Sequence, residues 1–235
     1  MVEIRSLGKR LGKFSLSDIS FKVGEGDYLV LLGESGAGKT LLLEMMAGIY
    51  QPDEGNILLN GEDLTHKPIQ ERSFGLVFQD LALFPHFTVR QNIRFPLRMH
   101  GSPAESRESR IEEIAAELEI GEYLDRYPNT LSGGQRQRVA LARTLVSQPK
   151  CLLLDEPLTA LDTRLKSEMR NLLKGINEKG QTIIHVTHSY DEAFFLASHI
   201  GIISAGRMTQ FGTREAVLRE PGDPWISDYI RTFNL

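Results

Sequence analysis

The eight residues Gly33-Glu34-Ser35-Gly36-Ala37-Gly38-Lys39-Thr40 constrain this chain more than any other stretch. They satisfy the spacing G-x-x-x-x-G-K-[ST] at every fixed position. The apolar run Tyr28-Leu29-Val30-Leu31-Leu32 before them reads as a buried strand, and Leu41 to Ala47 after them reads as a helix start. A strand, a glycine-bearing loop and a helix N-terminus together make an anion site, because backbone N–H groups and the helix dipole both favour negative charge. Lys39 would reach terminal phosphates, and the Thr40 hydroxyl would ligate Mg²⁺. The competing reading is a chance glycine-rich turn, and its weight falls as later stretches are added.

Around this loop the chain reads as strands alternating with helices. Phe14, Leu16, Ile19, Phe21 and Val23 alternate only partly, as in half-buried antiparallel strands. Gly24 to Asp27 and Gln51 to Gly55 are turns, and Asn56 to Gly61 is a strand ending in an Asn-Gly hairpin. Phe74 to Phe78 is a strand that ends at Gln79. From about residue 88 the texture becomes helical. Ile111, Ile114, Ala115 and Leu118 lie on one helix face, with Arg107, Arg110, Glu112 and Glu113 solvated. Residues 129–135 form a polar loop, and Arg136 to Val146 is helical in pattern. Cys151 to Leu154 is an apolar strand ending in Asp155-Glu156-Pro157. A helix through Leu165, Met169, Leu172, Leu173 and Ile176 closes at Gly180. Strands follow over Thr182 to Val186 and Ile200 to Ile203, then a turn at Ser204 to Arg207. Thr213 to Arg219 is a short helix, Pro221 to Pro224 breaks it, and a last helix is expected over 225–233. The alternation predicts an α/β fold with an open, mostly parallel sheet, whose ligands bind at the carboxyl ends of strands. Three strand ends there are polar: the loop around Lys39, Asp155-Glu156 and Thr187-His188.

With 235 residues the chain makes one large domain or one domain with a lobe. A net charge of −4 gives no footprint of a nucleic-acid surface. The single Cys151 excludes an internal disulfide and suits a reducing compartment. Met1 to Ser6 is not a secretory signal, and no apolar run approaches the ~20 residues that span a bilayer. Work at a membrane would require other chains to do the spanning.

Two further stretches carry chemistry. Asp155 closes an apolar strand, as a magnesium-liganding carboxylate does, and Glu156 beside it could polarise a water. A solvated acidic turn is the alternative. In Leu131-Ser132-Gly133-Gly134-Gln135, Ser132 can cap the following helix while two glycines leave N–H groups open, which makes a second anion site or an ordinary capped helix start. His185 reads as packed in the sheet, His66, His86, His100 and His199 as surface or packing residues, and no Cys/His spacing suggests zinc.

Gly33–Thr40, Gln79, Leu131–Gln135, Leu152–Glu156, Ala160-Leu161-Asp162 and His188 stand in the order of the ABC-type ATPase motifs, and the resemblance covers essentially the whole chain. It implies a single nucleotide-binding domain over 1–235 with a P-loop NTPase (RecA-like) core and an N-terminal antiparallel β subdomain. An α-helical subdomain would be inserted at about 88–148, with no C-terminal regulatory domain. It also implies ATP and Mg²⁺: the loop amides and Lys39 on the phosphates, and Thr40 with Gln79 on the metal, oriented by Asp155. Glu156 would be the catalytic carboxylate, and His188 would contact the γ-phosphate. Ser132, Gly133, Gly134 and Gln135 would complete the site of an opposite protomer, and Asp162 would cross the interface. The partners implied are a second copy or a related ATPase, integral membrane permease subunits and an extracytoplasmic solute-binding protein. The place implied is the cytoplasmic face of the membrane. The aromatic residue that family members stack on adenine is missing near Leu11. Leu11 packs on the base or Phe14 reaches it; otherwise Phe14 is core.

Gln79 to Val89 resembles the same stretch in importer ATPases, where Leu83, Phe84 and Phe87 would be interface or core. Lys9 to Leu16 looks similar to molybdate or tungstate importer ATPases, while iron, sulfate, polyamine, sugar and osmoprotectant importers share most of these motifs. An ATPase of an exporter or lipid-extraction complex would share every catalytic motif. ABC proteins of DNA repair or translation would need a long coiled-coil insertion or a tandem duplicate. Small-molecule kinases and GTPases have no use for Leu131–Gln135.

Overall fold

The computed structural model describes residues 1–97, 104–222 and 227. The helix expected over 225–233, Pro224 and His100 lie outside the described residues. The chain opens with an antiparallel pair, β1 (Val2–Leu11) and β2 (Phe14–Val23). The broken alternation in β2 has a local cause. The register shifts twice opposite Ile4 to Lys9, and Asp18 turns left-handed at φ 54°. The inward set therefore moves from Leu16 to Ile19, three residues on.

β3 (Tyr28–Leu32) leads into α1 (Lys39–Ala47). β4 (Glu54–Leu59) and β5 (Glu62–Asp63) form a hairpin through Asn60 and Gly61. Their φ values of 53° and 82° are the pair of positive angles a two-residue turn requires. After β6 (Phe74–Val77) come α2 (Val89–Leu97), α3 (Ala104–Glu117) and α4 (Gly133–Leu145). The chain then runs through β7 (Cys151–Asp155), α5 (Thr163–Glu178), β8 (Thr182–Thr187), α6 (Tyr190–Leu196), β9 (His199–Ser204), β10 (Arg207–Thr213) and α7 (Arg214–Arg219). α4 begins three residues before the expected Arg136, so the glycines of Leu131–Gln135 form its first turn. α6 and β10 were not expected from the sequence.

Four strands make an antiparallel sheet in the order β2-β1-β4-β5, and six make a second sheet in the order β10-β9-β3-β8-β7-β6. In the second sheet only the edge strand β10 runs antiparallel. This is the α/β, mostly parallel P-loop NTPase fold with an antiparallel β region at its start. β3, β7 and β8 are buried along their whole length, which is why they read as unbroken apolar runs. Leu29, Leu31, Leu153 and Ile184 pack towards α1 and the antiparallel sheet, while Val30, Leu154 and Ile183 pack towards the helices after β6. The expected face of Ile111, Ile114, Ala115 and Leu118 is fully within that second core. Among the described residues no helix is long and apolar enough to cross a membrane.

One buried charge fixes the phosphate-loop helix from behind. Arg72 is 0% exposed and donates to Met45 O at 2.6 Å, Met46 O at 3.2 Å, Thr65 O at 2.8 Å and Lys67 O at 2.8 Å. Carbonyls at a helix end lack intrahelical partners, and a cation there suits the dipole. Burial lowers the pKa of this guanidinium.

Candidate functional site

α1 starts without a side-chain cap. Its N-cap is Gly38, left-handed at φ 102°. A Cβ at Gly38 would stand 2.6 Å from Leu16 Cδ1 and 2.8 Å from Phe14 Cζ, so the loop lies directly on β2. Nearby, a Cβ at Gly33 would stand 2.2 Å from Ile203 O. The loop is thus wedged between the two sheets.

Lys39 is buried, and its Nζ donates to Gly33 O at 2.7 Å and Glu34 O at 2.9 Å. Burial lowers the Lys39 pKa, against the pull of Glu156 and Asp155. Ser35, Gly36, Gly38, Lys39, Thr40, Gln79, Glu156 and His188 line one cleft of about 440 Å³, with Leu11 and Phe14 on its wall. The structure therefore gathers the three expected strand ends, those of β3, β7 and β8, and adds Gln79 beyond β6. Ala37 is buried beneath the loop. Phe14 packs under Gly38, whereas Leu11 is 40% exposed at the lip.

Asp155 lies behind the cleft surface, 5% exposed, and accepts from Thr40 Oγ1 at 3.0 Å. Burial raises its pKa, the Thr40 hydrogen bond opposes that, and Glu156 adds to it. A hydroxyl, a carboxylate and the Gln79 amide are hard oxygen donors. They fit Mg²⁺, which takes one or two carboxylates and leaves its remaining positions to water and phosphate.

Glu156 has a left-handed backbone, φ 48°. Its carboxylate accepts from Thr159 Oγ1 at 2.5 Å and meets His188 Nδ1 at 3.0 Å. The His188 turn is fixed from below. Thr187 Oγ1 accepts from Ser189 N at 3.1 Å, and Ser189 caps α6. Glu192, on α6, approaches the buried His185 at 3.4 Å, and His185 Nδ1 meets Tyr28 OH at 3.0 Å. Burial pushes the Glu192 pKa up, but the neighbouring His185 and Thr187 side chains bring it below the usual value.

Ser132, Gly133, Gly134 and Gln135 do not reach this cleft. Ser132, Gly134 and Gln135 line a separate one of about 350 Å³ with Glu122, Arg138, Leu165 and Glu168. Ser132 forms a full capping box: its Oγ accepts from Gln135 N at 3.3 Å, and Gln135 Oε1 accepts from Ser132 N at 2.8 Å. Asp162 caps α5, accepting from Leu165 N at 3.0 Å. A third cavity, of about 380 Å³, opens at the amino ends of the parallel strands among Arg110, Glu117, Lys150 and Gln181 and shares no residue with either.

Sequence reasoning missed two residues that shape the rim. Asn92 and Arg143 hold the backbone beyond Gln79 by hydrogen bonds to Phe84, Phe87 and Thr88 and to Leu81 and Ala82. Asn92 is a fully buried amide inside an apolar helix face, which was the available signal. Arg143 carried none.

The family model described as ABC transporter matches residues 16–159. The chain is 44% identical over 238 residues to the spermidine/putrescine import ATP-binding protein PotA of Nitrosomonas eutropha, covering 100% of this chain and 65% of that protein. It is 43% identical over 236 residues to the molybdate/tungstate import ATP-binding protein WtpC of Pyrococcus horikoshii, covering 100% and 68%. It is 42% identical over 234 residues to the sulfate/thiosulfate import ATP-binding protein CysA of a Synechocystis strain, covering 99% and 66%. The chain thus spans about two thirds of the length of these curated relatives. Among solved structures, the dimeric post-hydrolysis state of the ATP-binding cassette MJ0796 bound to ADP and Pi superposes with a TM-score of 0.80 at 29% identity, covering 91% of this chain and 98% of that one. A phosphate loop framed by four strand ends, a second glycine-bearing helix start on another face and these likenesses converge: the chain belongs to the ABC transporter family.

Proposed function

We propose that this chain is the ATP-binding subunit of an importer and hydrolyses ATP between two head-to-tail copies. One observation carries the reading. The phosphate-loop cleft and the Leu131–Gln135 end lie in separate clefts with no shared lining residue. Each is half of a nucleotide site, and a two-fold arrangement brings the halves together.

In this reading Lys39 and the loop amides hold the phosphates, Leu11 packs on the base, and Ser132, Gly134 and Gln135 of the second copy close over the γ-phosphate. Asp162 starts α5 beside that interface. Glu156 accepts a proton from a water whose oxygen attacks the γ-phosphorus, and the bond between that phosphorus and the β–γ bridging oxygen breaks, releasing ADP and phosphate. His188 holds the Glu156 carboxylate in the nucleotide-free chain and is placed to turn to the γ-phosphate. Mg²⁺ would be held by Thr40, Asp155 and Gln79 and would supply charge neutralisation to the phosphates.

The membrane partner is a permease. Phe84, Phe87 and Phe95 form an aromatic cluster with centroid spacings of 4.7 to 6.3 Å, and Phe95 is 41% exposed. A coupling segment of the permease docks there, at the cytoplasmic face of the membrane. A solute-binding protein delivers the cargo. Relatives named for polyamines, molybdate or tungstate, and sulfate match at nearly equal identity. On the resemblance of Lys9 to Leu16 we assign the cargo to the oxyanions, molybdate or tungstate.

Two experiments test the reading. Glu156→Gln should keep ATP binding, lose roughly 10²–10⁴-fold in turnover and accumulate as an ATP-bound dimer on a sizing column; wild-type turnover sinks the assignment. Cells lacking the chain should lose molybdate or tungstate uptake and regain it with the wild type but not with Glu156→Gln. A defect in polyamine uptake instead would replace the cargo, and an efflux defect would replace the importer.

A further inference from the structure

Two residues beyond Gln79 the backbone enters an unfavourable conformation. Leu81, φ 63°, and Ala82, φ 44°, are consecutive non-glycine residues in the left-handed region. Side chains with a Cβ seldom adopt it, and it persists only where neighbours hold it. The strand end contributes one bond, from Leu81 N to Phe78 O at 3.0 Å.

Asp80 Oδ1 accepts from Ala82 N at 3.2 Å, and Arg143, near the C-terminal end of α4, holds the two carbonyls. Its Nη2 donates to Leu81 O at 2.8 Å and its Nη1 to Ala82 O at 2.6 Å. Its guanidinium lies 5.5 Å over the Phe84 ring. Among the described residues Arg143 forms no ion pair; its charge is directed at two carbonyls and an aromatic face. A planar fork can hold two successive carbonyls at once, which a point charge such as Lys cannot. On the other flank Asn92, on α2, accepts from Phe84 N at 2.9 Å and donates to Phe84 O, Phe87 O and Thr88 O at 3.1, 3.2 and 3.0 Å. α2 and α4 pack on each other. The backbone between Gln79 and α2 is therefore tied to the helices after β6 more than to the sheet it leaves.

The two ends of α4 then have different duties. Ser132 caps the end that would face a partner's nucleotide, and Arg143 grips the segment that carries Gln79 in the chain's own cleft. A helix of 13 residues is a rod of roughly 20 Å.

We propose that Arg143 is a positioning residue for ATP hydrolysis. By fixing the left-handed turn at Leu81 and Ala82 it sets where Gln79 stands in the cleft. Through α4 it makes that placement follow the position of Ser132. This rests on the ATPase reading given above, and the test separates the two.

The test is a double-mutant cycle on MgATP hydrolysis by the purified chain, with ATP binding measured in parallel. Arg143→Gln should lower kcat about tenfold while KM for ATP stays within about twofold, the pattern of a lost transition-state interaction. In a Gln79→Ala background the same substitution should lower kcat by no more than about twofold, because the group it positions is gone. Arg143→Lys, which keeps the charge and can reach one carbonyl, should fall between. An unchanged kcat in Arg143→Gln, a raised KM with kcat intact, or the full tenfold loss in the Gln79→Ala background each overturns the proposal. If Arg143→Gln loses ATP binding or its thermal transition, the cycle is run with Arg143→Lys and the same outcomes decide. A wild-type chain that binds MgATP and never hydrolyses it overturns the ATPase reading and this proposal with it, whereas hydrolysis that is indifferent to Arg143 overturns this proposal alone.

Discussion

The starts of α1 and α4 look alike in the sequence, each a helix N-terminus beside glycines, and they differ in one respect that decides their behaviour. α1 has a glycine N-cap and no side chain on its first N–H groups. α4 has a reciprocal capping box, in which Ser132 and Gln135 satisfy each other's backbone donors. The first leaves its helix-start donors without a side-chain cap, the arrangement that suits an anion. The second has two of its donors, Ser132 N and Gln135 N, satisfied within its own cap, which leaves those of Gly133 and Gly134. A donor set left wholly open holds a phosphate more strongly than one partly used by its own cap. The phosphate loop should therefore hold nucleotide in a single chain, and the Ser132 end should act only when a second chain presents one.

The comparison breaks most visibly at α1. Lys39→Ala removes a buried ammonium held at the loop by two carbonyls. Loss of a charge-assisted contact and of the counter-charge predicts roughly 10²-fold weaker nucleotide binding, read by titration with a fluorescent ATP analogue. Binding within twofold of wild type would mean that the loop amides suffice. At α4 the sharper change is Gln135→Glu. A glutamate keeps the capping box and suits the helix dipole, so the nucleotide-free chain should unfold within about 0.5 kcal/mol of wild type. The same carboxylate repels an incoming phosphate, so ATP-driven dimerisation in a Glu156→Gln background should weaken about tenfold. Undiminished dimerisation would show that this helix start never meets the nucleotide. The smallest effect belongs to Ser132→Ala, which removes the cap and should cost about 1 kcal/mol, seen as a lower denaturant midpoint without nucleotide. ATP binding to the monomer should not change.

Much of this was legible because burial writes itself into strands. β3, β7, β8 and β9 are apolar runs, and the polar residues that end β3, β6, β7 and β8 are the ones the cleft gathers. β10 escaped because it is an edge strand. Most of its residues are partly exposed, so Arg207 to Thr213 shows no apolar run, and its register slips between Met208 and Gln210. α6 is only seven residues long, yet Ser189 and Glu192 stand at the spacing of a capping box, a signal present in the sequence and passed over. The start of α4 was placed late because Gly133 and Gly134 read as loop, whereas Gly134 is the contact that lets the helix sit on Leu165. Arg143 could not be read at all. An arginine on a helix is ordinary, and its meaning here comes from two carbonyls 61 and 62 residues away.

The order of strands in the large sheet has a consequence for the making of the protein. β3, which carries the phosphate loop, is paired with β8 and β9 and with no strand that precedes them. Its neighbours lie roughly 150–170 positions further along the chain, so this pairing is among the most non-local contacts of the fold. At synthesis rates of about 5–20 residues per second, the loop leaves the ribosome roughly 10–30 s before the strands that frame it. Through that interval the loop has β2 against Gly38 but neither Ile203 against Gly33 nor the strands that flank β3. A chain cut short before β8 has the full phosphate-loop sequence without the two strands that flank β3. The phosphate loop therefore gains its sheet neighbours only after β8 and β9 have been made.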